Sequence, residues 1–179
     1  KIATMETLVG PLVVLQALGA IVGAFSAVWG ECAYIRAMRD GQVDTAERAH
    51  LDALARGLYV GMMALLLASL GLVVVAYSSS QVSLSPALTS TYWTFIALAL
   101  LTTLLTWMLS RRHISFSFGS SAIFTAWWFL AYLAFGRFPP LSLGASIALY
   151  VVATVLFYGL LRLIRHLMTP AERAAADIV

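Results

Sequence analysis

Charge is what this chain has least of. Only 11% of its 179 residues are Asp, Glu, Lys or Arg, where a soluble domain carries about 25%. Cysteine occurs once, as Cys32, which excludes an intrachain disulfide and any cysteine-based metal or redox motif. Lysine also occurs once, as Lys1, against ten arginines, a bias that fits the coding habit of a GC-rich bacterium. No Ser–His–Asp set, paired carboxylates, phosphate loop or metalloprotease motif is present, so no residue set argues for an enzyme. What fills the chain instead is apolar: 61% of residues are hydrophobic. A domain this small has too much surface to hide that many apolar side chains from water. Lipid is the solvent that suits it.

A helix needs about 20 apolar residues to cross roughly 30 Å of hydrocarbon. Five such runs occur, at about 8–35, 57–77, 87–109, 116–135 and 143–164. The expected fold is therefore all-α, a polytopic membrane bundle of five transmembrane helices in one domain. The first run lacks a basic leader and is followed by Arg36 and Arg39, so it reads as a span and not as a cleaved signal. Between the first two spans, Asp44 and Glu47 form a capping pair. Leu51, Leu54 and Leu58 then recur at helical spacing beside the charged row Arg48, Asp52, Arg56. This predicts an amphipathic cytoplasmic helix there, running into the second span. SSSQVSLSP, SRRHIS and GRFPPLS make the remaining connections, the last stopped by two prolines. The tail, with Thr169 as N-cap, Pro170 at the first helical position and Glu172 at the third, predicts a short terminal helix.

Basic residues set the orientation. With the N-terminus outside and the C-terminus cytoplasmic, Arg36, Arg39, Arg48, Arg56, Arg111, Arg112, Arg162, Arg165 and Arg173 lie inside, against Lys1 and Arg137 outside. Such a rim attracts anionic lipids, and ordinary topology accounts for it without a nucleic-acid partner. Tyr77, Tyr92 and Trp93 outside, with Tyr59 and Trp107 inside, form the aromatic belts.

Polar and small residues within the spans are the candidate sites. On span one, Gln16, Gly23, Ala27, Gly30 and Tyr34 share a face, bordered by Gly19 and Glu31. The small residues, with Gly57 and Gly61 on span two, suit close helix packing, inside the bundle or between copies. Gln16 and Glu31 must face protein or water, and Arg36 is the nearest ion-pair partner in sequence for Glu31. On span four, Ser117, Ser121, Thr125, Trp128 and Tyr132 share a face. Trp127 and Trp128 sit at mid-span, filling the core or lining a pocket for a flat apolar ligand. Span five offers Ser146, Tyr150, Thr154 and Phe157. The threonines of span three, Thr91, Thr94, Thr102 and Thr106, can bond their own helix carbonyls. Gln16, Glu31, Ser121, Thr125, Trp128 and Tyr132 are thus the ligand or path candidates, and no metal site is read.

His50, His113 and His166 all fall at the cytoplasmic edge, which disfavours a haem held at membrane depth. The residues LQALGAIVGAF, YIRAMRDGQVD and LDALARGLYVGMMALLLASLGLVV resemble a family of small bacterial inner-membrane proteins of unassigned function. That family has an L-H-x-L-G-A-x-x-G opening and an R-A-x-x-D-G loop. The likeness covers roughly the first 75 residues and, more loosely, WWFLAYLAFG. It implies an inner-membrane location. The family's opening histidine, which could ligate haem, is replaced here by Gln16. Three functions remain in view: a non-enzymatic accessory subunit or homo-oligomer, a small-solute or ion transporter or channel, and a haem- or quinone-associated redox protein.

Overall fold

A computed structural model describes residues 2–38, 45–78, 89–136 and 141–168. Those residues form five helices and no strand: α1 (Ile2–Met38), α2 (Thr45–Ser78), α3 (Ser90–Ser110), α4 (Phe116–Ala134) and α5 (Leu143–Met168). Each contains a stretch long and apolar enough to cross a membrane, so the chain is a multi-pass integral membrane protein.

Local chemistry sets the ends. Thr89 Oγ1 accepts from the Tyr92 amide at the start of α3, and Ser115 Oγ from the Phe118 amide at the start of α4. Ser142 Oγ does the same for Ala145 at α5, in each case satisfying a donor that a helix N-terminus leaves open. At the end of α3, the Arg112 amide bonds Leu109 O and the His113 amide bonds Met108 O, with Arg112 at φ 58°. This is a Schellman closure, and it turns the chain tightly into α4. Gly136, at φ 63°, occupies the corresponding left-handed position after α4. Proline inside a helix usually breaks it, yet Pro11 lies within α1 as its tenth residue and the helix continues through it.

Two expectations are adjusted. The amphipathic stretch expected to run into the second span is the beginning of α2 itself, one helix from Thr45 to Ser78, and not an additional element. A helix of 34 residues is about 50 Å long at 1.5 Å per residue, so α2 outreaches the hydrocarbon without a break in its backbone. The third helix begins at Ser90, three residues later than the apolar run, because Thr89 caps it. The expected Asp44 cap and the terminal helix lie outside the described residues, as do Arg39, Arg137 and Arg173.

Helix α4 is the centre of the bundle, packed on α1, α3 and α5, while α2 lies along α1 and barely meets α3. Small residues make the α1–α2 contact possible. A Cβ on Gly19 would stand 2.9 Å from Gly61 O, and one on Gly61 would stand 2.9 Å from Gly19 O. The two backbones therefore touch there. A Cβ on Gly57 would meet Ser26 Oγ at 2.5 Å. Gly23 receives the indole of Trp127, whose ring atoms would come within 1.9 Å of a Cβ at that position. Trp127 is 1% exposed and, with Ala20, Leu65, Phe95, Ala126 and Leu130, fills the core. The outer surface carries the large apolar residues, including Phe25, Trp29, Val155 and Leu156, as lipid requires.

Candidate functional site

One polar cluster of the bundle gathers side chains from three helices. Glu31 on α1 is 7% exposed. Its partner is Arg165 on α5, 134 residues away in the chain, with Nη2 2.6 Å from Glu31 Oε2. The same guanidinium donates through Nη1 to Ser117 Oγ at 2.8 Å and through Nη2 to Ser120 Oγ at 2.7 Å, both on α4. Arginine's planar fork suits this division of donors better than lysine's point charge would. Tyr34 and Phe116 stack with ring centroids 4.0 Å apart, and the guanidinium carbon lies 5.4 Å and 5.7 Å from those two rings. The rings cover the pair on one side and add cation–π attraction.

We term this set the clasp. It links α1 to α5 across α4, and those two helices otherwise have little contact. Glu31 lies five residues before Arg36, about 7 Å along the helix, so the clasp sits near one end of the bundle. Arg36, the partner sequence proximity offers, is exposed. Beside the clasp is a cavity of about 160 Å³ walled by Glu31, Ser26, Gly30, Ser120, Leu58 and Phe124.

The remaining candidates do not join Glu31. Gln16 lies fifteen residues before it, about 22 Å along α1, and its Nε2 donates to Ser69 Oγ on α2 at 3.2 Å. Ser121 and Thr125 are buried and donate to Ser117 O and Ser121 O of their own helix at 2.8 Å. Trp128 and Tyr132 turn outward, 38% and 54% exposed, and with Ala131 and Phe135 wall a shallow cleft. The face shared by helical spacing is thus divided: neighbouring helices cover its first half and leave the second open. A Cβ on Gly30 would meet nothing within 4 Å, unlike one on Gly19 or Gly23, while Ala27 is buried. On α3, Thr94, Thr102 and Thr106 all donate to carbonyls four residues back. On α5, Tyr150 Oη donates to Ala122 O of α4 at 3.0 Å. Sequence reasoning missed Arg165 and the Ser117–Ser120 pair as a unit. The available signal was two serines one turn apart, level with the arginines that close α5.

Among the described residues no three His, Cys, Asp or Glu side chains gather as metal ligands. His113 lies in the turn after α3 against Trp107, and His166 is at the end of α5. Comparison with protein-family models, curated proteins and solved structures gave no match.

Proposed function

We propose that the chain is a non-enzymatic component of a bacterial inner membrane, an accessory subunit or oligomer, with its N-terminus outside and its C-terminus cytoplasmic. One observation carries the reading. Polar side chains from different spans engage one another: Arg165 holds Glu31, Ser117 and Ser120, and Gln16 holds Ser69. Such groups are costly in hydrocarbon unless paired, and here the pairing ties helices together. The orientation rests on the basic residues, of which Arg36, Arg56, Arg111, Arg112, Arg162 and Arg165 are counted at the inner face. Gly19 and Gly23 of α1 meet α2 and Trp127 within the chain, so a partner would use another face, such as the one bearing Phe25 and Trp29. Extraction of the tagged chain in a mild detergent, with mass determination and identification of what accompanies it, tests the reading. A defined oligomer or a stoichiometric partner is expected; a lone monomer defeats it.

The cavity beside Glu31 favours a second reading, a small-solute or ion path with Glu31 at its mouth. Flux in proteoliposomes that Glu31→Gln abolishes would support it.

A further inference from the structure

Because α2 and α3 barely meet, a groove of about 400 Å³ opens between them toward the lipid. On α2 its wall runs from Ala55 to Leu66 through Met62 and Met63; on α3 it runs from Thr102 to Ser110, with Trp127 at its floor. The twelve residues from Ala55 to Leu66 give it a length of about 16 Å. The wall looks mixed by composition but is apolar by chemistry. Thr102, Thr103 and Thr106 donate to Leu98 O, Ala99 O and Thr102 O, and Ser110 donates to Trp107 O. The hydroxyl protons of these four residues are engaged with backbone, and Met62 and Met63 add thioethers to the groove. A polar solute would find few donors there, whereas a hydrocarbon chain fits, and methionines adapt to it.

One end of the groove is charged. Ala55 is followed by Arg56, and Ser110 by Arg111 and Arg112, all three exposed. The mouth stays net positive in sequence even when Asp52 is counted. Tyr59 and Trp107, 66% and 52% exposed, flank it as headgroup-level aromatics do. Arg112 also holds the left-handed position of the Schellman turn at φ 58°, which glycine occupies at less cost.

We propose that this groove holds an acyl chain of an anionic phospholipid whose phosphate is bound by Arg56, Arg111 and Arg112. The proposal sharpens the general attraction of a basic rim for acidic lipids into one site. It depends on the membrane assignment but not on which face is cytoplasmic, nor on the clasp.

The test is native mass spectrometry of the full chain in a maltoside detergent, titrated with phosphatidylglycerol or with phosphatidylcholine of the same chains. One phosphatidylglycerol should bind at least about tenfold tighter than phosphatidylcholine, since each surface arginine is worth about fivefold. Replacing Arg56, Arg111 and Arg112 together with Gln should erase that preference. Thr103→Trp, which fills the groove, should weaken both lipids, while Leu100→Trp, on a lipid-facing part of α3 at 62% exposure, should change neither. If Thr103→Trp does not purify as a monodisperse species, Met63→Phe fills the same space. Equal binding of the two lipids, or unchanged binding by the groove-filled variant, overturns the proposal. So does a dimer of the chain whose formation excludes phosphatidylglycerol, because the groove's occupant would then be a second copy.

Discussion

Replacing Arg165 by Met removes the charge from the clasp while keeping a side chain of similar length between Tyr34 and Phe116. Glu31, 7% exposed, then faces apolar surroundings with its cationic partner gone. Breaking a buried pair from one side costs about 3–5 kcal/mol. The hydroxyls of Ser117 and Ser120 stand within reach of the guanidinium and can turn toward the abandoned carboxylate, which places the cost near the lower end, about 3 kcal/mol. Glu31→Gln is milder. An amide oxygen still accepts from Arg165, and the loss is that between a charged and a neutral hydrogen bond, about 1–2 kcal/mol. The double variant has neither a stranded carboxylate nor a stranded guanidinium, so it should lose about 2 kcal/mol, less than Arg165→Met alone. The coupling energy of the cycle is then about 2 kcal/mol or more. Unfolding in maltoside micelles titrated with dodecyl sulfate, followed by tryptophan fluorescence, measures all four proteins. Buried Trp127 is a suitable reporter. Coupling below about 0.5 kcal/mol, the range of independent sites, would refute the clasp.

Gly23→Ala should destabilise by about 1–3 kcal/mol through overpacking against Trp127, with Trp127→Leu partly restoring it. Gly30→Ala, where a Cβ meets nothing within 4 Å, should be neutral or gain up to about 1 kcal/mol of helix propensity; the same unfolding titration compares them. For orientation, Cys introduced at Ser142 should react with a membrane-impermeant maleimide in intact cells, and Cys introduced at Arg112 only after the membrane is opened. The opposite pattern inverts the topology.

The helices were legible because lipid imposes a length and an apolar content on every span, and three of the five begin at a capping Ser or Thr. That the charged stretch continues into the second span was legible too, because no breaker stands between Thr45 and Gly57; that the two make one helix of 34 residues and not two elements was not. The glycine face of α1 was readable as a packing face, but not its partners. That Gly19 meets Gly61 while Gly23 receives an indole from α4 depends on which helices are neighbours, and periodicity carries no such information. The same limit hid the clasp. Sequence proximity offers Arg36 to Glu31, five residues away, and nothing local favours Arg165 over it. The pairing follows from α4 standing between α1 and α5 and presenting Ser117 and Ser120 at the level where both charges end. Trp127 and Trp128 look equivalent in sequence; about one hundred degrees of helical rotation puts one in the core and the other toward lipid.

The central claim is that the buried charges hold helices together and do not conduct. Wild-type chain, Glu31→Gln and Arg165→Met, each reconstituted into liposomes of one composition, can be compared for proton and cation flux beside their unfolding titrations. Flux no higher than in protein-free liposomes is expected for all three, with stability falling in both variants. Flux in the wild type that Glu31→Gln removes while leaving stability unchanged would contradict it.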